Sequence, residues 1–170
     1  AAVNGAATSF YGRAMLIALV FSWVGDILLL SARNSFLTAG IAAFLLAHFG
    51  FAAAFASLEI DTAAMAVALS IMAAFGALML RWLWPHLDGL YKIAVPVYVA
   101  AIVVMTSLAA AVSAASGAYI AVAAAIIFTV SDISVARDRF VRRSIVNKFW
   151  GLPLYYAAQI MFAVSVLFYR

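Results

Sequence analysis

The sequence predicts an all-α protein whose solvent is lipid: a polytopic transmembrane bundle of about six helices. Three observations predict it. The chain is 69% hydrophobic and 9% charged, whereas a soluble domain is about half apolar and about a quarter charged. That leaves too little polar surface to cover a globule in water. Six stretches reach the length of about 20 apolar residues that a membrane-spanning helix needs. Ala and Leu dominate, and the alternating segments of a membrane β-barrel are absent from the pattern.

The elements follow in order, as a single transmembrane helical domain over residues 1–170. The first helix is expected over 13–31. It follows a small polar stretch, 1–9, without the basic start and apolar core of a signal peptide; this reads as a loop or helix end with sequence upstream. The second helix, 36–57, places Gly40, Phe44 and His48 on one face. The third, 62–82, carries Ala73, Gly76 and Ala77 as packing points and no polar group deeper than Arg81. The fourth, 90–113, contains Pro96, which kinks the helix near Tyr98. The fifth covers 117–137 and the sixth 148–169. Short connections make sequence neighbours antiparallel. Gly25 and Gly40 read as points of close helix approach.

Charge sets the orientation. Of the ten Lys and Arg residues, Arg33, Arg81, Lys92, Arg137, Arg139, Arg142, Arg143 and Lys148 fall on one side. Arg13 and Arg170 fall on the other, beside Glu59 and Asp61. By the positive-inside rule the first side is cytoplasmic and both ends of the chain face away from it. A bacterial inner membrane is the expected location. The net charge of +4 is therefore a topology signal, and nucleic acid is not an expected partner. With no cysteine, disulfides and thiolate chemistry are excluded.

Ionisable groups inside a bilayer are costly and call for a reason. Asp26 and Asp132 each stand five residues before the basic end of their helix, roughly 7–8 Å below the rim at 1.5 Å per residue. Tyr98, Tyr155, Tyr156 and Gln159 lie in the same half, and His48 lies near the middle. Five helices thus place polar groups in one half of the membrane, which points to one pocket open to the basic side. Two carboxylates at equal depth suit shared acid and base work. The plainer reading is that each aspartate only binds a neighbouring hydroxyl or an arginine, with Arg33 and Arg139 each standing seven residues beyond one of them. Metal chemistry is not expected: zinc takes three or four ligands, usually including His, and only His48 and His86 exist. No phosphate-binding glycine loop and no nucleophile elbow is present, and no cofactor is expected. Val24-Gly25-Asp26-Ile27 echoes Val130-Ser131-Asp132-Ile133, four helices apart, as a parallel internal repeat would place them.

Several segments carry a resemblance. They are Ser22-Trp23-Val24-Gly25-Asp26-Ile27-Leu28-Leu29; Ala39-Gly40 through Phe44 to His48; Pro96-Val97-Tyr98 followed by Met105; Gly117-Ala118 leading to Phe128-Thr129-Val130-Ser131-Asp132-Ile133; Arg139-Phe140; and Tyr155-Tyr156-Ala157-Ala158-Gln159. In this order the chain resembles the YhhN-like lysoplasmalogenase family. The family has about eight helices, so two N-terminal helices are expected to be missing here. Its aromatic shortly after the histidine, often a tyrosine, is Phe51, so a hydroxyl is lost at that position.

The resemblance implies hydrolysis of the vinyl ether of lysoplasmalogens to a fatty aldehyde and a glycerophospho-headgroup. That reaction needs a protonated acid, an anion to steady an oxocarbenium ion, and a water. Asp26 and Asp132 are the expected catalytic pair, and the sequence leaves open which is the acid. His48, Tyr98, Tyr155, Gln159, Ser22 and Ser131 are the expected substrate-binding or supporting residues. Arg139, Arg142, Arg143 and Lys148 form a rim placed to meet a lipid phosphate, or simply anchor the basic side. The expected partners are a membrane lipid substrate and the bilayer, with oligomers or a larger complex left open. The rival reading is a small proton-coupled carrier, or a lipid-binding or structural subunit of a membrane complex. A carrier needs a polar path reaching both faces.

Overall fold

The computed structural model describes residues 6–31 and 33–169. The expected far-side position of Arg170 lies outside the described residues, as do the first five residues of the opening stretch. Among the described residues the fold is six α-helices without a strand: α1 (Phe10–Leu29), α2 (Asn34–Ala56), α3 (Thr62–Leu83), α4 (Tyr91–Ser116), α5 (Ile120–Ala136) and α6 (Ile145–Ser165). The helix ends differ from the sequence expectation by about one turn at most. Local chemistry sets several of them. Ser9 caps α1 by accepting from the Gly12 amide, and Asp61 caps α3 through the Ala64 amide, each satisfying a donor that a helix start leaves free. Gly117 ends α4 in the left-handed region at φ 74°, where glycine carries no steric penalty.

One boundary differs in kind. Helix five was expected to stop at Arg137, but a π-helical turn, Arg137–Val141, continues it. Asp138 is the reason. Its buried carboxylate accepts from the Ser144 amide at 2.9 Å and from Asn147 Nδ2 at 3.2 Å, and Asn147 Nδ2 also donates to the Arg142 carbonyl at 2.8 Å. These bonds tie the turn to the start of α6.

The helices α1, α2, α4, α5 and α6 pack in that cyclic order, and α3 lies outside the ring against α4. The closure between α1 and α6 is the sparsest contact in the ring. Five helices are long and apolar enough to cross a membrane. The sixth, α6, has the length of a span but carries Asn147, Lys148, Tyr155, Tyr156 and Gln159. Large apolar side chains such as Trp23, Ile71, Leu78, Ile93 and Ile160 point outward, as they should where the outer medium is hydrocarbon. This is an integral membrane protein.

The half of the bundle away from the basic loops is filled. Phe51 stacks on Phe162 with ring centroids 4.3 Å apart, and Phe55 and Phe128 pack around them. The polar tips there satisfy one another: Tyr11 and Ser165 share a hydrogen bond of 2.6 Å, and the Tyr169 hydroxyl donates to the Ala118 carbonyl. Phe51, the position where a hydroxyl was thought lost, is fully buried in this aromatic stack.

Close approach explains the glycines. A Cβ on Gly25 would come within 2.6 Å of the Phe44 ring, and one on Gly40 within 2.7 Å of Leu29. The tightest point is between α5 and α6, where a Cβ on Gly151 would sit 1.7 Å from Ser134 Oγ and 2.6 Å from Ser134 Cβ. Rotating the hydroxyl relieves the first clash but not the second. Gly151→Ala should therefore destabilise the protein by about 1–3 kcal/mol, the usual penalty of overpacking. Ser134→Gly alone should also destabilise, since glycine weakens a helix, yet added to Gly151→Ala it should raise the melting temperature in detergent. A double variant that melts below Gly151→Ala would show that this contact does not set the helix spacing.

Candidate functional site

α1 carries Asp26 one turn before its end, and α6 carries Tyr155 one turn beyond Gly151. The Tyr155 hydroxyl donates to Asp26 Oδ2 at 2.8 Å. This bond bridges the two neighbouring helices of the ring whose packing is sparsest. On the facing side α5 presents Asp132. The Tyr98 hydroxyl of α4 donates to Asp132 Oδ2 at 3.4 Å, and Nε2 of His48, from α2, stands 3.3 Å from the same oxygen. Each aspartate thus has a tyrosine from another helix, but only Asp132 has a histidine.

His48 is completely buried. Its Nδ1 lies 2.8 Å from the Phe44 carbonyl one turn earlier. A carbonyl oxygen only accepts, so Nδ1 carries the hydrogen. The ring stacks on Phe128 at 4.8 Å and 11°, and meets the edge of Tyr98 at 4.9 Å. Three helices therefore fix both the position and the rotation of the imidazole.

Asp26 and Asp132 lie on the wall of one cavity of about 350 Å³, within the size range of small-ligand pockets. All six helices contribute to it. Leu30, Leu83, Arg139 and Lys148 are on its wall, which places it at the end of the bundle that bears the basic loops. Its deeper wall is apolar, with Phe75, Met79, Ile102 and Val103. Arg139 Nη2 donates to the Leu29 carbonyl at 2.9 Å, so the π-helical turn caps the end of α1. No Lys or Arg among the described residues comes within ion-pair reach of either aspartate; Arg33 lies exposed on the α1–α2 connection.

The remaining predicted residues divide. Tyr98, Tyr155 and Ser131 line the cavity with the aspartates. Ser131 spends its hydroxyl on the Phe128 carbonyl at 2.7 Å. His48 stands behind Asp132, off the wall. Ser22 and Gln159 are each one turn deeper than Asp26 and Tyr155; the Ser22 hydroxyl and Gln159 Nε2 are buried, unpaired within the protein and off the wall. Of the rim cations, Arg139 and Lys148 line the cavity, while Arg142 and Arg143 are exposed away from it. No cluster of His, Cys, Asp and Glu among the described residues could hold a metal ion.

Sequence reasoning missed Asp138 and Asn147, which also line the cavity. Both sit in a segment whose arginines read as a topology signal. The only local hint was an acid followed by a helix-capping Ser144 six residues on.

Comparison with known proteins agrees with this architecture. The YhhN family pattern matches residues 1–166. The chain is 31% identical over 161 residues to lysoplasmalogenase TMEM86A of Bos taurus, covering 90% of this chain and 65% of that protein. It is 30% identical over 159 residues to lysoplasmalogenase TMEM86A of Homo sapiens, with the same shares covered. The chain thus spans a little under two thirds of the length of these curated relatives. No solved structure matches it. A family match running from the first residue almost to the last, over a helical bundle with its polar groups gathered in one cavity, establishes that the chain belongs to the YhhN family.

Proposed function

We propose that this protein hydrolyses the vinyl ether bond of lysoplasmalogen-type lipids, releasing a fatty aldehyde and a glycerophospho-headgroup, with Asp26 and Asp132 as its catalytic groups. The observation that carries the reading is that both aspartates lie on the wall of one cavity whose inner part is apolar. Vinyl ether hydrolysis starts with proton transfer to carbon and passes through an oxocarbenium ion, as glycoside hydrolysis does. Two carboxylates in different surroundings can divide the work of acid and anion. The apolar inner wall suits an alkenyl chain. Arg139 and Lys148 at the mouth suit a phosphate, with the basic loops on the cytoplasmic side. The names of the two relatives support the same chemistry. The filled aromatic half, whose tyrosines and serines bond to one another, favours a hydrolase over a carrier, which would need a polar path through it.

Asp26→Asn and Asp132→Asn should each lower aldehyde release per folded molecule by about 10²–10⁴, the usual contribution of general acid–base catalysis. The double variant should fall little further, because groups acting as a unit are not additive. Melting temperatures measured in parallel separate lost chemistry from lost fold. Near wild-type turnover in both variants would remove the two-carboxylate mechanism. Lys148, at the mouth, should contribute through charge alone. Lys148→Gln should raise KM for the phosphate-bearing lipid severalfold with kcat unchanged, and added salt should erase the difference, since exposed charges are screened. A drop in kcat at constant KM would contradict a headgroup role.

A further inference from the structure

We propose that Ser22, His48 and Gln159 hold a buried water molecule beneath the two aspartates, and that this is the water consumed in hydrolysis. The catalytic half of the proposal rests on the vinyl ether reading above. The water site itself rests on packing and on unpaired polar atoms.

Three contacts define a layer at the level of Asp26. The Tyr155 hydroxyl donates to Asp26 Oδ2. The Phe44 ring meets the Tyr155 ring edge-on at 5.8 Å, and a Cβ on Gly25 would strike that same Phe44 ring. α1 thus meets α2 and α6 here. α1 runs toward the basic end of the bundle, whereas α2 and α6 start from it. One turn deeper along each helix stand Ser22 on α1, His48 on α2 and Gln159 on α6. Residues four apart share a helix face, so the faces that join Asp26, Phe44 and Tyr155 bring these three to one level. One step deeper again, Gly50 approaches Ala18 and Phe51 stacks on Phe162. The layer lies between the carboxyls and an aromatic plug.

Each of the three brings a buried polar atom without a hydrogen bond: Ser22 Oγ, His48 Nε2 and Gln159 Nε2. Among the described residues only one other side-chain atom shares that condition, Asn147 Oδ1 at the start of α6. Ser22 and His48 are fully buried. Ser107, Thr129, Ser131 and Ser165 each return the hydroxyl to a carbonyl of their own helix, and Ser22 does not. His48 Nδ1 is taken by the Phe44 carbonyl. Its Nε2 stands 3.3 Å from Asp132 Oδ2 without bonding to it, which places the layer beside Asp132 as well as beneath Asp26. Buried polar groups are rarely left without a partner, and a buried water makes about three hydrogen bonds to groups that lack one. A hydroxyl, an amide nitrogen and a ring nitrogen can each bond water.

The place suits the reaction. A lipid tail in the cavity expels water from it, and the surrounding hydrocarbon supplies none. The hydrolytic water must therefore be held out of the tail's path, and Ser22, His48 and Gln159 are off the cavity wall. One helical turn is about 5.4 Å, twice a hydrogen bond of about 2.8 Å, so a water bonded in this layer reaches the level of the carboxyls. The chemistry balances. An aspartate gives its proton to the vinyl carbon remote from oxygen, and an oxocarbenium ion is left. The water oxygen bonds to the carbon that carries the ether oxygen, and a proton leaves the water to restore the acid. The resulting hemiacetal breaks its bond to the glycerol oxygen, which takes up the proton released by the hemiacetal hydroxyl. Aldehyde and alcohol result.

Gln159 is the one glutamine in the chain, so nitrogen-15 in the glutamine side chain reports from this site alone. The purified full chain in detergent should show rotating-frame magnetisation transfer from water to the Gln159 amide, with the sign of a held water rather than of hydrogen exchange. The transfer should persist with a saturated alkyl-ether lysophospholipid, which has no vinyl bond to cleave, added until the melting temperature stops rising. Ser22→Ala should reduce the transfer severalfold. No transfer, or transfer lost when that lipid binds, would overturn the site. Ser22→Ala should also lower the melting temperature by about 2–4 °C, whereas removing an unpaired hydroxyl would raise it and count against the water. Ser22→Ala and Gln159→Leu should each lower kcat for lysoplasmalogen about tenfold with KM unchanged, the mark of an interaction used after substrate binds. A variant that loses the water signal yet keeps the full kcat would overturn the catalytic role. If the water is held but the unmodified protein releases no aldehyde, the functional reading fails with that role, and the water site stands.

Discussion

Hydrocarbon offers no hydrogen-bond partner, so every polar group that enters the membrane must find one inside the chain. The rest of this structure depends on that constraint. It forces the backbone into helices, turns many large apolar side chains outward, and leads buried hydroxyls such as those of Tyr11, Ser107 and Thr129 to bond to a carbonyl or to another hydroxyl. Ser107 and Thr129 return their hydroxyls to the carbonyls one turn earlier, and Thr106 pairs with Thr129. A charged group that could not be paired would be expelled or neutralised. The two aspartates are retained because helices distant in sequence supply their partners.

Those partners organise the bundle as much as they serve the site. The Tyr155–Asp26 bond closes the ring where α1 and α6 barely pack. At the opposite end the same two helices are joined by Tyr11 and Ser165. Between these two bonds the interior is sealed by Phe51, Phe55 and Phe162. The molecule is therefore closed toward one face and hollow toward the other. An apolar floor with cations at the mouth would suit the tail and the headgroup of the proposed lipid substrate.

The basic segment after α5 shows how one stretch can carry several signals. Its arginines enter the Lys and Arg asymmetry of the sequence by their number. Asp138 and Asn147 turn the same stretch into a fixed π-helical turn, and that turn delivers Arg139 to the end of α1. Arg142 and Arg143, equally basic, remain at the surface. Charge counting treats these residues alike because the membrane potential and the lipid headgroups act on charge, not on direction. Hydrogen bonding separates them.

By itself the sequence determined the solvent and the helices. These depend on quantities that accumulate along the chain: the length of each apolar run, and the 1.5 Å rise per residue that sets how long a run must be to span. It also marked Gly25 and Gly40 as close contacts. Only the tertiary structure decided which side chains meet. Tyr155 belongs to Asp26, Tyr98 and His48 belong to Asp132, and Ser22 and Gln159 lie a turn below the cavity wall rather than on it. The reason is rotational. Depth fixes how far a residue lies along its helix, but the direction in which it points depends on how neighbouring helices turn and cross. That is set by contacts between residues far apart in the chain, such as Gly151 against Ser134, and the difference between the two aspartates arises from those contacts.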